Sequence, residues 1–229
     1  MKLKNYFDSV VEIALENAEI ATNGMAYQEK ANAFTHGIGT VLSIAGLAYL
    51  LFIAITKGNL WQIVSFGIYG STLVILYLAS TAYHWIIDSK TKKTLQMFDH
   101  SAIYLLIAGS YTPITLIALR GTWGWTLFGL VWGIAVIGIL MKYFFFNKTQ
   151  VISVILYIFM GLLIITATKP LLNAVPVKML LWIVTGGLFY LLGVFFFFSP
   201  KIRYHHTIWH LFVMAGSITH FLAIFFYLA

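Results

Sequence analysis

His205-His206-Thr207-Ile208-Trp209-His210 opens the last apolar stretch of the chain, HHTIWHLFVMAGSITHFLAIFFYL at 205–228. A run of this length crosses a bilayer core of about 30 Å as a single α-helix, at about 1.5 Å per residue. His206 and His210 are four apart, so on that helix they stack one turn apart on one face. An ionisable side chain inside a membrane helix is costly and marks function by default. Two imidazoles aimed the same way at the mouth of a span make a metal clamp that lacks only its remaining ligands. Fold and function therefore turn on two questions: whether the rest of the chain also spans the membrane, and whether it brings further ligands to the same leaflet.

Composition answers the first. Of 229 residues, 61% are hydrophobic and 9% charged, and the mean hydropathy is +0.90. Soluble domains carry about 25% charged residues, so this is an integral membrane protein with little room for a soluble domain. The chain has no cysteine, which removes disulfides and thiolate ligands and leaves nitrogen and oxygen to hold any metal. A net charge of +7 could point to nucleic acid. The basic residues fall in short connections between apolar stretches, however, where they orient a membrane protein, and no nucleic-acid partner is expected. Asp8, Glu12, Glu16 and Glu19 interrupt the region where the apolar core of a signal peptide would lie, so none is expected.

Residues 5–22 read as a short amphipathic helix. Phe7, Val10, Val11, Ala14, Ala18 and Ala21 lie on one face and Glu12, Glu16 and Glu19 on the other, and Asn23-Gly24 is its expected end. Seven apolar stretches follow, near 34–56, 61–87, 95–118, 123–142, 149–168, 177–198 and 205–228. Polar punctuation separates them, including Lys57-Gly58-Asn59, Arg120-Gly121, Asn147-Lys148, Lys169-Pro170 and Ser199-Pro200-Lys201. The expected architecture is an all-α, seven-transmembrane helix bundle over 29–229, preceded by an amphipathic segment at 1–28. Connections this short force neighbouring spans to be antiparallel. One side of the membrane then holds Lys2, Lys4, Lys30, Lys90, Lys92, Lys93, Lys142, Lys148, Lys201 and Arg203, and the other holds Lys57, Arg120, Lys169 and Lys178. Ten basic residues against four put the N-terminus in the cytoplasm and the C-terminus outside.

This parity answers the second question. The second span ends, and the third and seventh begin, at the cytoplasmic face. Ser80, His84, Asp99, His206 and His210 therefore all fall in the inner-leaflet third. Asp99 is the one acidic residue these spans place within the membrane. Three imidazoles, His84, His206 and His210, would leave a fourth tetrahedral position on zinc open to water, as in catalytic rather than structural sites. Zinc lowers the pKa of such a water to about 7. Asp99 would serve as general base or orient the water. Ser80, one turn before His84, could hold the water or stabilise an oxyanion. A lipid carbonyl at headgroup depth is the natural electrophile. His205 points about 100° away from His206, and His220 lies about 15 Å farther along the helix than His210, so neither joins the site. His220 is expected to make a polar contact between helices. His36 is expected to pack between helices rather than stand behind the site, and His100, beside Asp99 on another face, to stand behind the site or lie at the interface.

These residues also carry a resemblance. Glu29-x-x-Asn32-x-x-Thr35-His36-x-x-Gly39, Ser80-x-x-x-His84, the run from Asp99-His100-Ser101 to Tyr111-Thr112-Pro113, and His206-x-x-x-His210 with Gly216 and His220 resemble the hemolysin III family. That family is the bacterial branch of the progestin and adipoQ receptor (PAQR) superfamily. The resemblance covers the chain from about residue 29 onward. It implies a multi-pass protein of the bacterial cell membrane, with a cytoplasmic N-terminus and a Zn2+ ion near the inner leaflet. Its ligands would fall on His84, His206 and His210, and the residues holding the zinc-bound water on Asp99 and Ser80. It further implies a zinc-dependent hydrolase of a lipid amide (ceramidase-like) or ester bond. The alternatives are a non-enzymatic regulator or sensor of membrane lipid state and a cytolytic pore. The pore ranks last, because the spans offer no repeated polar stripe to line a lumen. The expected partners are the membrane and a lipid substrate or ligand; nothing in the residues sets an oligomeric state.

Overall fold

The structure is a computed structural model that describes residues 2–86 and 88–229, with side chains described from Gly24 onward. Eight α-helices occur among these residues: α1 (Lys2–Lys57), α2 (Leu60–Trp85), α3 (Ser89–Pro113), α4 (Thr122–Phe145), α5 (Gln150–Leu162), α6 (Thr168–Ala174), α7 (Val177–Phe197) and α8 (His205–Leu228). They make seven membrane-length segments, with α5 and α6 sharing one, so the seven-span expectation holds. Large apolar side chains such as Phe52, Ile55, Ile155, Leu181 and Val184 remain exposed. On a protein whose helices satisfy their own backbone, such a belt faces lipid.

Two boundaries differ from the sequence reading. Asn23-Gly24 does not end a helix, because α1 runs unbroken from Lys2 to Lys57. A glycine inside a helix costs only about 1 kcal/mol relative to alanine, which an otherwise continuous hydrogen-bond ladder absorbs. The side chains of the proposed amphipathic face lie outside the described residues. In the fifth span, Lys169-Pro170 is not the break either. The chain tightens into a 3-10 turn at Leu163–Ala167 and resumes as α6 with Pro170 in its first turn, where its missing N–H has no partner to lose. Tyr111 of α3 services this break. Its hydroxyl donates to the Met160 carbonyl (2.7 Å) and accepts from the Ile164 N–H (2.8 Å).

The helix ends are capped from within the chain. Asn59 accepts from the Trp61 and Gln62 N–H groups, and the Gln62 side chain returns a bond to the Asn59 N–H at 2.9 Å, a reciprocal capping box. The Gln62 amide also donates to the Leu228 carbonyl (2.8 Å), tying the end of α8 to the start of α2. At the opposite end of the bundle Asp88 caps α3 by accepting from the Thr91 N–H (2.8 Å). Hydrogen bonds from Thr91 hold its carboxyl below the ordinary value of 3.8. Helices α2 and α3 are the most enclosed and meet around Phe66, Tyr69, Leu73, Leu76, Ala102 and Leu106. Close approach of α7 and α8 depends on small residues. A Cβ on Gly186 would run into the His220 ring, and one on Gly216 would come within 2.8 Å of the Tyr190 ring.

Candidate metal centre

The end of α2 and the start of α8 meet at one end of the bundle. His84 comes from α2, and His206 and His210 from successive turns of α8. One ligand nitrogen from each lies within 4.8 Å of the others. The ring centroids form a nearly equilateral triangle of 5.1, 5.0 and 4.7 Å. His84 and His210 are 4% and 1% exposed.

Hydrogen bonds behind the rings select which nitrogens face the centre. His84 Nδ1 lies 3.3 Å from Glu29 Oε2, and the same carboxylate pairs with the Lys92 ammonium. His84 Nε2 is buried without a partner. His210 Nδ1 sits 3.3 Å from the Asn32 carbonyl oxygen, with the Thr35 hydroxyl also at 3.3 Å. Thr207 donates to the Asn32 side chain at 2.6 Å, which clamps α1 against α8. A proton on Nδ1, given to a carboxylate or carbonyl, leaves the Nε2 lone pair for a metal. An orphaned, buried Nε2 within a three-imidazole triangle fits a divalent ion. The donor set has no thiolate and suits zinc, copper, iron or nickel. The triad could therefore hold a metal ion.

Ser80 and Asp99 share the wall of one large cavity with His206 and His210. The cavity has a volume of about 320 Å³, within the range of small-molecule sites. Its lining is mostly apolar, including Leu106, Ile107, Val154 and Ile158. Ser80 is buried and its Oγ has no hydrogen-bond partner. Asp99 is buried, with Oδ2 3.7 Å from His100 Nδ1. His100 Nδ1 also lies 2.8 Å from the Gln96 carbonyl oxygen. The two histidines of α8 outside the triad each reach a backbone carbonyl. His205 Nδ1 is 3.1 Å from the Phe196 carbonyl, and His220 Nε2 is 3.0 Å from the Ile183 carbonyl across α7.

Sequence reading left Glu29 before the first span with no role of its own; α1 brings it to His84. His36, expected to pack between helices, stacks on His210 with centroids 3.5 Å apart, and neither of its nitrogens has a partner. Lys142, counted among the loop cations, is completely buried. The spacing Glu29-x-x-Asn32-x-x-Thr35-His36, four polar residues at i, i+3, i+6 and i+7, was the available signal that one face of α1 serves the site.

A polytopic helical protein with a buried three-histidine centre at one end of its bundle is the class that fold and site define. The "Haemolysin-III related" family signature matches residues 25–221, and the chain belongs to that family. It is 46% identical to the hemolysin-3 homolog of Bacillus subtilis over 87% of this chain and 94% of that one. It is 45% identical to the hemolysin-3 of Bacillus cereus, over 87% and 91%. The human monocyte to macrophage differentiation factor is 29% identical over 100% of this chain and 95% of its own. No solved structure gives a significant match. With seven apolar helices and these relatives, the chain is a multi-pass bacterial membrane protein.

Proposed function

We propose that this protein is a zinc-dependent hydrolase of the acyl linkage, amide or ester, of a membrane lipid. The observation that carries the reading is that Ser80 and Asp99 line, with His206 and His210, the wall of one mostly apolar cavity. His84, His206 and His210 would hold a zinc ion, which would supply a Lewis acid and lower the pKa of a bound water. The Asp99 carboxylate takes a proton from the attacking water and returns it to the departing alkoxide or amine, so that water adds across the acyl bond with no other reagent. The Ser80 hydroxyl, free of other bonds, donates to the acyl oxygen as negative charge develops there. Glu29 and Asn32 hold the His84 and His210 rings in register. The distribution of basic residues supports a cytoplasmic N-terminus, an external C-terminus and a site in the inner leaflet.

The test is lipid turnover by purified protein. Wild type is expected to contain about one zinc per chain and to release fatty acid from a membrane-lipid extract. Asp99→Asn is expected to keep the metal and lose the release. Fatty-acid release unchanged in Asp99→Asn removes Asp99 from the chemistry. No release from any lipid by the metal-loaded wild type overturns the hydrolase reading in favour of a lipid sensor.

A further inference from the structure

Lys142 is a buried cation that the chemistry above does not use. It lies near the end of α4, 0% exposed, and lines the same cavity as Asp99 and His206. Its ammonium donates to Gln150 Oε1 at 3.1 Å and sits 5.1 Å from the centre of the Phe146 ring. It pairs with no carboxylate among the described residues. An ammonium has three donors, so two are uncommitted. Ser153 stands one turn along α5 from Gln150, on the same helix face. It too lines the cavity, is 1% exposed, and its hydroxyl has no hydrogen-bond partner. A buried charge without a counterion is costly, and more so at membrane depth. Lys142 lacks a counterion among the described residues, and Ser153 lines the same cavity wall one turn from the Gln150 that Lys142 contacts.

The rest of the wall indicates what carries that anion. Beyond Lys142, Gln150 and Ser153 the lining is largely aliphatic, with Ile103, Ile107 and Val154, which suits acyl chains. Three separate polar side chains match a tetrahedral oxyanion, with several acceptor oxygens, better than a planar carboxylate with two. Lysine is an established point-charge partner for phosphate. Antiparallel succession of the spans puts the end of α4 at the same end of the bundle as the histidine triad. We propose that Lys142, Gln150 and Ser153 form a phosphate-binding subsite that takes the headgroup of an anionic phospholipid, with the acyl chains along the apolar wall. This deepens the lipid-hydrolase reading by naming the class of lipid, but it concerns binding and can be tested without turnover.

The protein, purified with its metal in a nonionic detergent, is titrated with dioctanoyl phosphatidylglycerol, dioctanoylglycerol and inorganic phosphate. Binding is followed by tryptophan fluorescence, since Trp209 also lines the cavity. Wild type is expected to bind the phosphatidylglycerol roughly tenfold or more tightly than the diacylglycerol, the gain of a charge-assisted contact. Lys142→Met erases that preference, Lys142→Arg keeps most of it, and Ser153→Ala weakens the phosphatidylglycerol alone by a few-fold. Ser153→Ala removes one buried hydroxyl and no charge, and carries the test if Lys142→Met does not fold. Equal affinity of wild type for the two lipids overturns the proposal, as does a preference unchanged in both Lys142→Met and Ser153→Ala. Saturation by inorganic phosphate with no further affinity from the acyl chains overturns the lipid assignment. If these binding preferences hold while the wild type releases no fatty acid, the subsite stands and the hydrolase reading alone fails.

Discussion

Replacing Glu29 with alanine tests whether the metal centre depends on support from outside the triad. Glu29 Oε2 lies 3.3 Å from His84 Nδ1 and also pairs with Lys92. The Glu29 side chain is 36% exposed while that of His84 is 2%, so solvent screens the carboxylate and its direct charge contribution stays below about 1 kcal/mol. The remainder acts by fixing the tautomer and tilt of the ring. Loss of such a support weakens metal binding by about 10–100-fold. The exposure puts Glu29→Ala near the lower end, about tenfold or roughly 1.4 kcal/mol. Glu29→Gln retains an acceptor for the Nδ1 proton and should lose only a few-fold. Lys92→Met leaves the Glu29–His84 contact in place and should change affinity by less than about threefold. Competition against a chromogenic chelator at neutral pH measures all three. The reasoning is refuted if Glu29→Ala binds metal as tightly as wild type, or if Lys92→Met loses as much as Glu29→Ala. Thermal unfolding of the metal-free forms separates ring positioning from general destabilisation.

Removing the metal with a chelator should lower the unfolding temperature of wild type, because a ligand at 100 times its Kd contributes about 2.7 kcal/mol. His84→Ala and His210→Ala should not respond to the chelator; a response equal to that of wild type would show that the stabilising metal binds elsewhere. Tyr111→Phe deprives the Met160 carbonyl and the Ile164 N–H of their partner at the break in the fifth span and should cost about 1–2 kcal/mol in detergent unfolding. An unchanged melting curve would mean that the break satisfies itself. Asp88→Ala removes the cap of α3. The folded carboxyl titrates below 3.8, so its contribution is present above that pH and is lost as pH falls through the folded value. Wild type should therefore exceed Asp88→Ala in stability at pH 7, and the two should converge in strong acid. A gap that persists unchanged at low pH would assign the effect to the Thr91 hydrogen bond irrespective of charge.

Helix period and helix parity made most of the triad legible. The spacing of four in His206 and His210 is a local fact of an α-helix, and Ser80 with His84 follows the same rule. Short connections then oblige α2 to end where α8 begins, and the triangle of rings confirms it. Residues whose roles depend on depth or on rotation about a helix axis were not legible. Glu29 has no role in the sequence beyond its motif until the packing of α1 brings it to His84. Lys142 reads as a loop cation until α4 is seen to run on to Phe145 and turn it inward. The break in the fifth span gives little local signal, because its repair comes from Tyr111, about fifty positions away.

By itself, then, the sequence determined a seven-span helical protein without thiol chemistry and with three histidines at one end. Each of these follows from quantities that add up along some twenty consecutive residues or repeat every 3.6. Tertiary structure alone decided which nitrogens of His84 and His210 are backed by α1, and that one cavity joins His206 and His210 to Asp99 and Lys142. The physical reason is that lipid is as apolar as the helix surfaces it meets. Hydrophobicity drives a helix into the membrane but does not choose which face turns inward. That choice falls to close packing at small residues such as Gly186 and Gly216, and to interhelical hydrogen bonds such as those of Asn32 and Tyr111. Both are set by neighbours distant in the chain.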